Sequence, residues 1–131
     1  MTTGQFKSSY PGDRESLNCV TDLSAFEHRF VRLTGDNQVG AITSGANLQD
    51  PYGVLVNKPV SGEVAEVQIN GLALLKAPSS TPMAYSNKVM TDLNGYGIAA
   101  TSGCIVRGEV VMGCASGELA TVRLVKYQLV G

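Results

Sequence analysis

The chain has no tryptophan, one histidine, three cysteines and few charges: 16% of its 131 residues are Asp, Glu, Lys or Arg, and the net charge is −1. Each shortage argues against a class of function. Ten basic and eleven acidic residues, with no block of one sign, leave no cluster of Lys and Arg to displace counterions from a phosphate backbone. Direct nucleic-acid binding is not expected. No hydrophobic run approaches the roughly 18 residues of a membrane span, so no membrane association is expected either. The opening MTTGQFKSSY has no basic stretch followed by an apolar one, so no secretory signal is read there. Cys19, Cys104 and Cys114 cannot all pair within one chain and include no Cys-x-x-Cys spacing. Reduced thiols in a protein made in a cytoplasm are expected, with a Cys104–Cys114 bridge across a hairpin as the alternative. A single histidine and no ligand spacing leave no metal or cofactor site to expect.

What the chain does have is glycine, fifteen of them, between short runs of Val, Ile and Leu. Gly or Pro recurs every few residues from Gly35 onward, which leaves little room for a helix. Runs at 30–33, 53–56, 64–69, 72–75, 88–91, 108–112 and 119–125 read as strands. In the run from Val64 to Ile69, alternation puts Ala65, Val67 and Ile69 on one face and Glu66 and Gln68 on the other. Asn70-Gly71 follows and predicts a tight hairpin into Leu72–Leu75, because both residues tolerate positive φ. Ser24 to His28 suggests one helical turn, with Ser24 as its cap and Glu27 at the third position.

Residues 1–24 differ from the rest. They are polar, without alternation, and carry isolated apolar residues at Phe6, Tyr10, Leu17 and Val20. Such a segment reads as an extended arm that straps its own domain or reaches a neighbour, and these four residues are the candidate contacts. The remainder, 25–131, reads as a single β-domain. An internal repeat runs through it, with units at 35–75 and 94–126. Ser61-Gly-Glu-Val-Ala-Glu-Val-Gln-Ile69 aligns with Ser116-Gly-Glu-Leu-Ala-Thr-Val-Arg-Leu124. Ala41–Gly45 parallels Ala99–Gly103, and the Gly53 and Gly108 strands lie between, in the same order. Two related strand-turn-strand units predict an all-β fold, a small β-barrel or β-sandwich.

Catalytic patterns are missing. His28 sits between Glu27 and Arg29 with nothing to mark it as a base. No Gly-x-Ser-x-Gly elbow, phosphate loop or dinucleotide fingerprint occurs, and the nearest acidic pairs, Asp13/Glu15 and Glu63/Glu66, read as solvated. An enzyme is not expected.

The order of motifs from Phe26-Glu-His-Arg-Phe-Val-Arg-Leu33, through Gly53-Val-Leu-Val-Asn-Lys-Pro-Val-Ser-Gly-Glu-Val-Ala-Glu-Val67 and Asn70-Gly71, to Asp92-Leu-Asn-Gly95, Gly108 and Ser116–Leu124, resembles the small capsid cement or decoration proteins of tailed bacteriophages. The resemblance spans about residues 25–126 and leaves the first 24 outside it. It implies a small β-domain, often a homotrimer, made in the host cytoplasm and bound to the exterior of the virion. There it bridges the major capsid protein and holds the shell against internal pressure. It supplies no catalytic residue and no cofactor. The alternatives are another phage part, a head-completion or tail protein, and a small β-barrel sugar-binding module or hydrolase.

Overall fold

The computed structural model describes residues 13–43, 50–101 and 103–128, with the side chains of 127 and 128 left aside. Ten strands are described: β1 Arg14–Cys19, β2 Phe30–Gly35, β3 Gln38–Ala41, β4 Gly53–Leu55, β5 Val64–Gln68, β6 Leu72–Lys76, β7 Lys88–Thr91, β8 Gly97–Ala99, β9 Ile105–Met112 and β10 Leu119–Gln128. The first five close into a barrel in the order β1-β3-β2-β4-β5, and the last five form a second sheet in the order β6-β10-β9-β7-β8. The fold is all-β, as the glycine punctuation predicts. Both a closed barrel and a packed sheet are present.

The barrel closes through the segment expected to be an arm. β1 pairs antiparallel with β5 from Arg14↔Gln68 to Asn18↔Val64, and parallel with β3 at Asn18↔Gln38 and Cys19↔Val39. Leu17 and Cys19 point into the barrel with Val31, Val39, Leu55, Ala65 and Val67, and Leu23 caps that core. Residues 14–23 are therefore part of the domain. The isolated Leu17 is one half of a two-residue period that the polar residues around it conceal.

Asn70-Gly71 makes no hairpin. β5 bonds to β1 and β4, and β6 bonds to β10, so this dipeptide carries the chain from the barrel to the second sheet. Only Gly71 takes a positive φ, of 79°, whereas a type I′ turn requires it of both residues. The Asn70 side chain is engaged elsewhere, by Asp13. Residues 24–28 form no helical turn. Two successive turns run there, closed by Phe26 N donating to Leu23 O and Arg29 N to Phe26 O. Asp22 Oδ1, rather than Ser24, receives the local cap, from the Ser24 N–H. Cys104 and Cys114 flank opposite ends of the eight-residue β9, far beyond the reach of a disulfide, and both are free thiols.

The two Ser-Gly-Glu segments adopt the same geometry. Glu63 N bonds Val60 O and Glu118 N bonds Ala115 O, with Gly62 and Gly117 at φ 91° and 79°. These are type II turns, which place glycine third. Each turn leads into a strand paired with its glycine-led predecessor, β4 with β5 and β9 with β10. A Cβ on Gly53 would lie 2.4 Å from Gln68 O and 2.7 Å from Val67 Cγ1; one on Gly108 would lie 2.3 Å from Val122 Cγ1 and 3.3 Å from Arg123 O. Val67-Gln68 and Val122-Arg123 occupy matching places in the alignment. The Gly53 and Ser61–Ile69 segments thus sit in the barrel and their counterparts in the second sheet, while the end of the first unit, β6, also joins the second sheet. The Ala41–Gly45 and Ala99–Gly103 segments fall partly outside the described residues.

Two outcomes are expected from this arrangement. Deleting residues 1–12 leaves a cooperative unfolding transition, while deleting 1–24 removes β1 and abolishes it, as read by circular dichroism during urea titration. Gly53→Ala lowers stability by about 2–3 kcal/mol, because the obstacle is main chain and cannot step aside; Gly108→Ala costs a similar amount, since the Val122 methyl in its way belongs to a stiff, fully buried side chain.

Candidate functional site

The joint between barrel and sheet is built on strands whose two faces are both buried. On β2, Val31 enters the barrel and Phe30 faces the second sheet; on β4, Leu55 enters and Val54 faces outward. Phe30 opposes Val54, and Val54 opposes Gln68, so three residues form one row across β2, β4 and β5. All three are fully buried. Ala73, Leu75, Val89, Val110, Ala120 and Val122 of the second sheet share the cluster that takes in Phe30 and Val54.

Gln68 and His28 also cap the free edge of β6. Leu124 N to Gly71 O and Ala77 N to Glu118 O set the β10 register, which turns the main-chain groups of Leu72 and Lys76 away from β10. Gln68 Nε2 donates to Leu72 O at 2.9 Å, and Lys76 N donates to His28 O at 2.8 Å. On the opposite edge of the sheet, Gly95 O beside β8 accepts from Phe30 N at 2.8 Å. The sheet curls until both its edges meet residues 28–30. An edge so occupied offers no template for stray strand pairing.

Charges cluster at this joint; Asp50 pairs with Arg107 and Lys126, while Arg29 rests on aromatic rings with its Nε buried and without a hydrogen-bond partner. Arg29 lies between the rings of Phe26 and Tyr96, 4.7 and 4.1 Å from their centroids. Arg107 of β9 donates from Nη2 to Tyr52 O at 3.1 Å and lies beside Asp50, which also pairs with Lys126. These groups, with Leu33 and Ile69, line an open groove of about 440 Å³ between barrel and sheet. Burial lowers the basicity of Arg107, and Asp50 opposes that effect. Tyr52 donates to Glu15, which pushes the phenol pKa up. On the outward face of the second sheet, Glu109 is bonded by Lys88 and Arg123, which hold its carboxyl below the usual range. A second groove of about 330 Å³ holds Glu27, His28, Lys58 and Lys76. No group of His, Cys, Asp and Glu among the described residues is arranged to hold a metal.

Of the four candidate contacts, Phe6 and Tyr10 lie outside the described residues. Leu17 is a core residue, 7% exposed, and its burial within its own barrel removes it as a contact. Val20 is 49% exposed and is joined by Val60 and Val64, at 44% and 51%. The three gather where β1 ends and β5 begins. Ser61 Oγ donates to Val20 O, Gly62 N to Cys19 O, and Val64 opposes the neighbourhood of Asn18. Val60 and Val64 were not candidates from sequence. The available signal was Val64, an apolar residue on the face that alternation assigns to Glu66. This apolar patch at one end of the barrel is the best candidate contact surface among the described residues.

The fold defines a class: an all-β domain in which a closed five-stranded barrel with its own interior core packs one outer wall against a second five-stranded sheet. No protein-family model matches the chain, and no curated protein matches its sequence. Among solved structures, it is similar to the N base of the head fiber gp8.5 of bacteriophage phi29, with a TM-score of 0.64 and 16% identity, over 91% of this chain and 98% of that one. At that identity the likeness is one of fold.

Burial and the positive charges of Lys76 and Lys58 lower the His28 pKa from 6.5, against the opposing pull of Glu27. The unfolded chain therefore takes up a proton near pH 6.5 that the folded chain resists. Stability falls as pH drops through that value and levels off below the folded pKa. His28→Asn, which suits the positive φ of 66° at this position, removes this component of the slope in urea midpoints compared between about pH 7 and about pH 5.

Proposed function

We propose that the chain is a structural, non-enzymatic protein of a phage head, attached to the outside of the shell as a cement or decoration protein. The observation that carries the reading is the fold likeness to a phage head fiber base, which spans 91% of this chain and 98% of the neighbour. The capsid-cement pattern of residues 25–126 supports it independently. The physical properties agree: near-neutral charge, matched ion pairs and an apolar patch at one barrel end. In this role each bound copy stabilises the assembled shell over the dissociated one, as any ligand selective for one state does. The protein bridges neighbouring major capsid proteins, and a cyclic homotrimer suits a threefold position because its heterologous interface closes on itself. Phe6 and Tyr10 remain contacts in this reading, together with Val20.

A second reading, the base of a head fiber, is favoured by the identity of the structural neighbour. Copy number separates the cement reading from a head-completion or tail part. A cement protein covers the lattice and reaches hundreds of copies per virion, whereas a connector or completion part is present at about a dozen or fewer.

The test is co-sedimentation with assembled, undecorated heads. Cement function predicts saturable binding, a higher temperature of head disruption, and weaker binding on deletion of residues 1–12 or on Val20→Asp with Val64→Asp. Absence of binding to intact heads, with the chain folded, contradicts the proposal.

A further inference from the structure

The chain contains two Asn-Gly pairs, Asn70-Gly71 and Asn94-Gly95, and the fold treats them oppositely. We propose that Asn94 is a site of spontaneous covalent modification, deamidation through a cyclic imide, and that Asn70 is protected from the same chemistry. Glycine after asparagine leaves the attacking nitrogen unhindered, so what distinguishes the two sites is how the structure holds the asparagine amide.

Asn70 is held at both ends of its amide. Its Oδ1 accepts from Asp13 N at 2.7 Å and its Nδ2 donates to Asp13 Oδ2 at 2.7 Å. Both bonds must break before Cγ can swing toward the Gly71 nitrogen, and one of them is charge-assisted. Asn94 is exposed, and its side-chain amide makes no hydrogen bond among the described residues. Asp92 Oδ1 accepts from Asn94 N at 2.8 Å and from Tyr96 N at 2.9 Å, which pins the loop main chain but not the Asn94 side chain. The Gly95 N–H bonds Asp92 O across 3.4 Å, at the weak limit of such bonds, so the nucleophile is only loosely engaged.

In the reaction the Gly95 nitrogen attacks Asn94 Cγ. The new carbon–nitrogen bond forms, the Cγ–Nδ2 bond breaks, and ammonia leaves with the proton given up by the Gly95 N–H. Water then opens the imide at either carbonyl, which yields aspartate or isoaspartate at position 94. The isoaspartate route adds a methylene to the main chain beside Gly95. That glycine has little freedom: its carbonyl accepts from Phe30 N at 2.8 Å, and a Cβ there would meet Phe30 O at 2.7 Å. Modification at Asn94 therefore pushes on the joint between barrel and sheet, and acts as a slow ageing reaction located where the two halves meet.

The experiment incubates the full folded chain at mildly alkaline pH and follows both sites by peptide mass spectrometry with isoaspartate detection. Asn94 is expected to convert at least about tenfold faster than Asn70, because two hydrogen bonds must open at the latter. In denaturant the two rates converge. Asp13→Ala raises Asn70 conversion in the folded chain toward that of Asn94. Should that variant not fold, the native-against-denatured comparison in the unaltered chain decides alone. Equal native rates, or Asn70 converting first, overturn the proposal.

Discussion

The barrel and the second sheet, five strands each, are held together by one row of buried residues that serves both. The row Phe30, Val54 and Gln68 is the outer wall of the barrel and at once the floor of the second sheet. Everything near it depends on that double use. Gln68 is an amide in a dry layer whose Nε2 bonds Asn70 O and Leu72 O and so closes the edge of β6, while its Oε1 is buried without a hydrogen-bond partner. Residues 28–30 bond β6 on one side and Gly95, in the turn before β8, on the other, which holds the second sheet in its curl. Gly95 lacks a side chain because the Phe30 carbonyl occupies the space.

Much of this was legible. Glycine spacing, the strand runs from β4 to β7 and the repeated Ser-Gly-Glu turns all follow from local chemistry, and the repeat even marks the two glycines that carry the closest strand packing. The misread parts share a physical cause. A strand with both faces buried shows no alternation, so Phe30-Val31 and Val54-Leu55 look like generic apolar runs and hide which residue faces which core. β1 hides for the opposite reason, since only Leu17 and Cys19 are inward and the residues between them are polar. Asn70-Gly71 has the composition of a hairpin, but Asp13 and Gln68, one of them distant in sequence, commit it to a crossing between sheets. Long-range hydrogen bonds of this kind have no local signature.

The candidate surface was less legible than the fold. An exposed valine on a polar strand face is a weak signal in a sequence, and Val20, Val60 and Val64 come together only when β1 and β5 pair. The conspicuous surface charges are matched to one another: Glu109 by Lys88 and Arg123, Asp50 by Arg107 and Lys126.

The claim that the barrel and the second sheet form one cooperative unit through Phe30 is tested most directly by native-state hydrogen exchange on Phe30→Ala. Truncating a fully buried phenylalanine costs about 3–5 kcal/mol. The account predicts that amides of β5 in the barrel and of β9 and β10 in the second sheet lose protection together and by similar amounts. Loss confined to the second sheet, with barrel amides as protected as before, would contradict it and show two independently stable sheets.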